Sequence, residues 1–341
     1  MTRHNSRLNN ISVAPMMDWT DRHCRFFHRL LSPSVRLYTE MVTTGAIIYG
    51  DRERFLRFNA EEKPVALQLG GSNPAEMTQC AIEAEKSGFD EVNINCGCPS
   101  DRVQAGYFGA VLMKSPDIVA ECVHNMRKNI DIDVTVKCRI AVDEEDEEPF
   151  LRNFIDTVSQ AGCRTFIIHA RKAWLNGLSP KENRDIPPLN YDLVKKMKQL
   201  YPDLNLHLNG GISNLEDVQK ATKLFDGVMI GRAAYQNPTL LRQIEETQFA
   251  TENLLTIPEI IEAMSEYACQ QNRTYGTPVK SIAKHMTGLF LGQPGAKLWR
   301  QSLSPIIPER FGVTDPGNGY VLTAIYNHIW GMKNIPISKT A

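Results

Sequence analysis

The chain predicts an α/β protein, an eight-stranded (β/α)8 barrel (TIM barrel) followed by a small all-α helical domain. Eight short apolar, often β-branched runs recur with helix-like segments between them, at residues 11–15, 35–39, 64–69, 91–95, 134–138, 165–169, 204–209 and 227–230. Such alternation specifies parallel strands joined by crossover helices, and eight repeats specify a closed barrel. The strand pattern stops after Gly231, and 341 residues suit one large barrel plus an appendage.

The connecting segments behave as crossover helices should. Residues 74–86 are amphipathic and stop at Gly88, and residues 150–161 stop at Gly162, each glycine a C-terminal signal. Residues 214–225 follow a Gly-Gly turn. Beyond the barrel, residues 258–271, 279–291 and 319–332 read as helices separated by Gly and Pro breaks. The expected boundary lies near Gln248, giving a catalytic barrel at 1–248 and a helical domain at 249–341.

Composition narrows the class. A hydrophobic content of 42% and a charged content of 23% describe an ordinary globular protein. The N-terminal stretch lacks a signal-peptide core, and no apolar run approaches the ~20 residues of a membrane span. The eight cysteines are scattered, without a CxxC pair, so reduced thiols in a cytoplasm are expected. Net charge is only −1, but its distribution is uneven. No Asp or Glu occurs between Tyr267 and Pro308, a window that carries Arg273, Lys280, Lys284, Lys297 and Arg300. A local basic face binds phosphates even on a neutral protein, and five charges equally suit a solvated helix surface. The acidic run at 143–148, after strand 5, reads as solvated surface.

In this fold, active sites lie at the C-terminal ends of the strands. Strand 1 ends in Ala14-Pro-Met-Met-Asp18 and strand 3 in Gln68. Strand 4 runs into Asn93-Ile-Asn-Cys-Gly-Cys-Pro-Ser100, where two amides and two thiols gather at one strand end. Cys98, on a constrained backbone between Gly97 and Pro99, suits a proton donor, since a free thiol of pKa ~8.5 is mostly protonated near neutrality. A buried, inert cysteine fits the spacing equally well. Strand 5 ends in Lys137 and Arg139, and strand 6 in His169, Arg171 and Lys172. Strand 7 ends in Asn209-Gly-Gly211 and strand 8 in Gly231-Arg232. Barrels commonly bind phosphate with the loops after strands 7 and 8, so a phosphate-bearing cofactor is inferred. A metal is not expected, because HxxxH, CxxC and clustered carboxylates are missing, and so are GxGxxG and Walker loops.

Taken together, Ala14-Pro-Met-Met-Asp-Trp-Thr-Asp21, Gln68-Leu-Gly70, the 93–100 stretch, Val136-Lys-Cys-Arg139, His169-Ala-Arg-Lys-Ala-Trp174, Asn209-Gly-Gly-Ile212 and Gly231-Arg232 resemble the tRNA-dihydrouridine synthases. Residues 169–174 with Gly177-Leu-Ser-Pro-Lys-Glu-Asn-Arg184 and Ile186-Pro-Pro188, and residues 288–300, resemble the A subgroup. The resemblance covers residues 11–302 and implies an FMN enzyme that uses NADPH to reduce D-loop uridines of tRNA at positions 20 and 20a. It implies that Pro15, Met16 and Met17 line the flavin and that Gln68 contacts its ring. Lys137 and His169 would hold the flavin, with Asn209, Gly210, Gly211, Gly231 and Arg232 completing the phosphate site. Cys98 matches the proton donor and Asn95 the residue that contacts the target uridine. Lys181, Arg184, Lys297 and Arg300 match positions that guide the seating of tRNA. Cys96 departs from the pattern, standing where the family usually has an apolar residue, and is read as a small hydrophobe. A cytoplasmic monomer is expected. Two other readings share the strand ends: a flavin barrel dehydrogenase acting on a free pyrimidine, and an RNA-binding module without catalysis. The acid-free window at 267–308 disfavours the first, and the intact strand-end set disfavours the second.

Overall fold

A computed structural model describes residues 10–315 and 317–331. Among them, eight strands form one parallel sheet: β1 (Ile11–Val13), β2 (Leu37–Thr43), β3 (Val65–Gly70), β4 (Glu91–Cys96), β5 (Asp133–Arg139), β6 (Thr165–His169), β7 (Asn205–Asn209) and β8 (Gly227–Ile230). From β2 to β8 consecutive strands pair with one another, and β1 pairs with β8. The remaining seam, between β1 and β2, is closed by a Ser12–Arg36 bridge, with Val13 N–H donating to Arg36 O at 2.9 Å and Arg36 N–H donating to Ile11 O at 3.0 Å. The sheet is therefore a closed barrel, as expected.

Period-two alternation divides each strand between two environments. Val92, Ile94, Cys96, Val134, Val136 and Cys138 are all buried, and Cys96 lies in the apolar layer near Cys138 and Cys122, its thiol pushed well up by burial. The other parity points into the barrel. Ala14, Tyr38, Ala66, Ile167 and Met229 form an apolar cluster there, with Met16 packed against it. Beside that cluster the interior is polar, with Gln68, Glu91, Asn93, Asn95 and Thr135 all buried. Register aligns them: Gln68 pairs with Asn93 and Asn93 with Thr135, while Asn95 pairs with Lys137.

Two of the expected crossover helices form close to their expected bounds. Helix Pro74–Lys86 starts at Asn73, whose side chain accepts from the N–H groups of Ala75 and Glu76. Helix Leu215–Leu224 starts at Asn214, which accepts from Asp217 N–H.

Other expectations are corrected. The second strand is not residues 35–39 but Leu37–Thr43, with a register shift between Tyr38 and Met41 that lets it reach the mouth of the barrel. The helix expected over 279–291 stops at Ala283 and continues only as a 3-10 turn, Lys284–Met286. A separate helix, Ala296–Ser302, lies where only loop was expected. Part of the helix expected over 319–332 forms as Val321–Trp330, and residue 332 lies outside the described residues.

The chain divides into two compact units, one of residues 1–22 and 34–231 and the other of residues 23–33 and 232–341. The division falls at Gly231, ahead of Gln248, because helix Arg232–Gln236 and its neighbours pack with the helical part. Residues 23–33 join the helical unit through the ring of Tyr267: Phe26 stacks on it at 4.0 Å and His23 Nδ1 lies 2.8 Å from its hydroxyl. The core of that unit is aromatic. Phe290 meets Trp299 edge-on at 5.2 Å and Trp330 at 4.1 Å, and Trp299 Nε1 donates to Met286 O at 2.8 Å.

Trp299 is fully buried on the inner side of helix Ala296–Ser302. Trp299→Ala should therefore cost about 3–5 kcal/mol, read as a lowered urea midpoint of the helical unit with the barrel signal unchanged.

Candidate active site

The C-terminal ends of β3, β4, β5 and β6 bring together the thiol, the amides and the cations that stand apart in the sequence. Asn95, the penultimate residue of β4, folds its side chain back over the loop that follows: Oδ1 accepts from Gly97 N–H at 3.1 Å and from Cys98 N–H at 3.0 Å. Its Nδ2 donates to Gln68 Oε1 at 2.8 Å. The Cys98 carbonyl accepts from Ala110 N–H at 2.8 Å, and a Cβ at Gly109 would come within 2.5 Å of that oxygen. Only glycine permits this approach, and its φ of +77° makes the same demand. Cys98 is thus held from both sides. Of the eight cysteines it is the one that is not fully buried.

Cations crowd the adjacent strand ends. Lys137 is half-buried, and burial together with Arg139 brings its pKa down to about 8, with the Cys98 thiol near enough to pull it back up. Arg139 is buried; its Nε donates to Gly97 O at 3.1 Å and its Nη1 to Asn183 O at 3.0 Å. It therefore ties the Cys98 loop to the loop that follows β6. Burial lowers His169 well below the usual imidazole range, and the nearby charges of Arg139, Lys137, Arg171 and Arg184 act in the same direction. His169 is therefore neutral at physiological pH and serves as a hydrogen-bonding group rather than as another charge.

The loop after β6 is built on Asn183. This buried side chain accepts from Trp174 N–H at 2.7 Å and donates to Trp174 O at 2.9 Å and Leu178 O at 3.1 Å. Lys181 and Arg184 flank it and are exposed. In the helical unit, Lys297 and Arg300 lie one turn apart and exposed on helix Ala296–Ser302, opposite the buried Ala296 and Trp299. Each pair is brought together within its own unit.

At the end of β7, Asn209 Nδ2 donates to Met229 O at 2.8 Å, and the chain turns through Gly210 and Gly211 with φ of +101° and +75°. A Cβ at Gly210 would meet the His169 ring at 2.5 Å, whereas one at Gly231 would meet nothing within 4 Å. Gly231 ends the barrel unit, and Arg232 opens the helix that follows. In the segment after β1, Met16 N–H donates to Thr20 Oγ1 at 2.9 Å, and Met17 stands 57% exposed. Gln68 is only 1% exposed, and its amide is engaged at both ends by Asn93 and Asn95. Pro15 is half-buried beside the apolar cluster residues Ala14 and Met16.

Two site features had no reading from the sequence. Arg139 stands at a strand end but was assigned no role; its clamp appears only when the 97 and 183 carbonyls meet it in three dimensions. Glu40, from the unforeseen end of β2, accepts from Asp18 N–H at 2.5 Å, beside the exposed Met17. The acidic run is not simply solvated. Asp143 pairs with Lys114 at 2.7 Å and accepts from Leu175 N–H at 2.8 Å, and Glu148 pairs with Lys196. Among the described residues no group of three or more His, Cys, Asp or Glu is placed to hold a metal ion, and no helix is long and apolar enough to cross a membrane.

A family model described as dihydrouridine synthase matches residues 12–309. A protein of Shewanella oneidensis named tRNA-dihydrouridine(20/20a) synthase is 56% identical over 294 residues, which is 86% of this chain and 87% of the relative. Its namesake in Vibrio cholerae is 54% identical over 303 residues, 88% and 91% of the two chains. The Escherichia coli K12 protein of the same name is 54% identical over 295 residues, 86% and 85% of the two.

Gly210→Ala would force a methyl group against the His169 ring from a φ of +101°. The expected cost is about 1–3 kcal/mol, measured as a lowered melting temperature relative to Gly231→Ala, where open space receives the methyl group.

Proposed function

The chain belongs to the dihydrouridine synthase family, and we propose that it is an FMN-containing, NADPH-dependent enzyme that reduces the C5–C6 bond of tRNA uridines at positions 20 and 20a. The observation that carries this reading is the half-buried Cys98, the one cysteine not fully buried, held by Asn95 at the end of β4 beside the half-buried Lys137 and the buried Arg139. It acts as a cytoplasmic monomer in this reading.

The residues fit a phosphorylated flavin. Arg171 Nε is buried without a hydrogen-bond partner, and Gly210 and Gly211 bare their backbone beside His169. Asn209, Gly210, Gly211, Gly231 and Arg232, the next residue in the chain, would hold the phosphate. Pro15, Met16, Met17 and Gln68 would line the ring, with Lys137 and His169 completing its surroundings. When bound, FMN carries the reducing equivalent from NADPH to the uracil. Cys98 supplies the proton to C5, and Lys137 and Arg139, both within its electrostatic reach, stabilise the thiolate left behind. Asn95 and His169 orient the uracil edge.

A uridine inside a folded tRNA must leave its stack to reach this mouth, at a cost of a few kcal/mol. Lys181 and Arg184 on the barrel unit, and Lys297 and Arg300 on the helical unit, would offset that cost by binding phosphates. The basic face of helix Ala296–Ser302 has no use in reducing a free pyrimidine, which is the observation that favours tRNA.

A purified protein with a flavin absorption spectrum, reducing tRNA but not free uridine, is the expected result; a colourless protein that does not take up FMN would overturn the reading. Cys98→Ala should leave flavin reduction by NADPH intact and slow uridine reduction by ~10²–10⁴-fold, read by single-turnover assay. Lys297→Glu with Arg300→Glu should weaken tRNA binding and flatten its dependence on salt concentration, checked by filter binding. The pH dependence follows from Lys137. A neighbouring anion raises its pKa above the free-state value of about 8, so affinity for FMN is level below that pH and declines above it. Fluorescence titration of the apoprotein between neutral and alkaline pH reads this decline, which Lys137→Gln should abolish.

A further inference from the structure

Glu91 begins β4, the strand whose other end holds Asn95 and leads to Cys98, and the reaction proposed above makes no use of it. It is buried in the barrel interior, where Tyr38 OH donates to its Oε1 at 2.5 Å and Arg36 Nη1 stands 3.2 Å from Oε2. From this carboxylate a continuous line of hydrogen bonds runs to the site. Thr135 Oγ1 donates to Glu91 Oε1 at 2.6 Å, and Asn93 Nδ2 donates to Thr135 Oγ1 at 2.7 Å. Gln68 Nε2 donates to Asn93 Oδ1 at 2.8 Å, and Asn95 Nδ2 donates to Gln68 Oε1 at 2.8 Å. Asn95 Oδ1 then receives the N–H groups of Gly97 and Cys98 at 3.1 and 3.0 Å.

The line has one direction, and both ends dictate it. Backbone N–H groups only donate, so Gly97 and Cys98 require the oxygen of Asn95 to face them. Arg36 can only donate, and it faces Oε2 at 3.2 Å while Tyr38 OH donates to Oε1, so the Glu91 carboxyl is set as the acceptor and Thr135 directs its single proton to it. Burial raises the Glu91 carboxyl above its ordinary value, and Arg36, Thr135 and Tyr38 oppose that rise. With its proton committed, the Thr135 oxygen can only accept from Asn93 Nδ2, and this decides Asn93, Gln68 and Asn95 in turn. A carboxamide flipped anywhere along the line would set two donors or two acceptors face to face in a buried site, which costs more than a lost hydrogen bond.

We infer that Glu91 is a positioning residue whose carboxylate, relayed through Thr135, Asn93 and Gln68, sets the orientation in which Asn95 holds the backbone of Cys98. The inference deepens the reading above and rests on it, since Cys98 must be the proton donor for its placement to matter in turnover.

Thr135→Val keeps the shape of the side chain and removes the hydroxyl that passes the orientation on; Thr135→Ser restores that hydroxyl. In the FMN-loaded full-length protein, Thr135→Val should lower kcat for uridine reduction in tRNA by about 100-fold. The KM for tRNA and the rate of flavin reduction by NADPH should stay at the parent values, and Thr135→Ser should restore kcat. Alkylation of Cys98 by iodoacetamide, located by mass spectrometry, reads the same relay without any turnover. It should be about tenfold faster in Thr135→Val than in the parent or in Thr135→Ser. Glu91→Gln, in which Arg36 claims the amide oxygen and leaves the NH2 group facing Thr135, should change both readouts in the same direction if the valine variant does not fold. Parent-like kcat and alkylation in Thr135→Val and Glu91→Gln would overturn the inference, as would a Thr135→Ser variant impaired as far as Thr135→Val. The two readings fail separately. Uridine reduction that survives Cys98→Ala removes the proton donor, whereas the alkylation rates still decide whether the relay holds the Cys98 backbone.

Discussion

Asn95 is the point on which the site depends. Its carboxamide joins the reactive loop to the barrel interior, accepting from Gly97 and Cys98 on one side and donating to Gln68 on the other. Two bonds from one oxygen to successive backbone N–H groups turn the chain sharply out of β4, which allows a thiol to stand at the strand end. Parallel register places Asn95 opposite Lys137 and Gln68 opposite Asn93, so the polar side chains meet at matched heights. A slip of one residue would send each of them into the apolar layer under the helices. Register, enforced by Val92, Ile94 and Val136 on the outer face, is therefore what assembles the chemistry.

Electrostatics give the assembled site its sign. Lys137 and Arg139 are desolvated together, which lowers both, Arg139 to about 10. The hydrogen bonds of Arg139 go to neutral carbonyl oxygens of Gly97, Lys172 and Asn183 rather than to a carboxylate. Its charge is thus held in place without being neutralised, and the field it leaves favours anions. Neutral His169 fits the same arrangement, because a further proton there would be repelled by four nearby cations. The acidic run at 143–148 does not oppose this field from inside. Asp143 is committed to Lys114 and to the backbone of Leu175, and Glu148 to Lys196.

Stability and function share the barrel interior side by side. The apolar cluster of Ala14, Tyr38, Ala66, Ile167 and Met229 occupies the interior beside a line of amides and hydroxyls that is satisfied at every step. A fully satisfied buried network is rigid where a partly satisfied one would be costly. In the helical unit the same division runs across one short helix, with Trp299 facing the aromatic core and Lys297 and Arg300 facing outward.

Much of this was legible from residue patterns. Strands are short, local and strongly patterned, so seven of the eight expected runs coincide with strands to within a few residues, and the helices expected over 74–86 and 214–225 form as Pro74–Lys86 and Leu215–Leu224. The second strand was misplaced because its bulge breaks the alternation between Tyr38 and Met41. Helix Ala296–Ser302 was missed because it is too short to show a period against its Gly and Pro neighbours. Cys98, Lys137, His169 and the glycine turns could be named from their positions at strand ends, where the barrel fold sends functional groups. What they touch was decided only in three dimensions. The Arg139 clamp joins residues 97, 139 and 183, the Asn95 relay joins β3, β4 and β5, and residues 23–33 leave the barrel for Tyr267. Local sequence sets which residues alternate and where elements stop. Hydrogen bonds between side chains far apart in the chain exist only once register and packing have brought donors and acceptors to the same place.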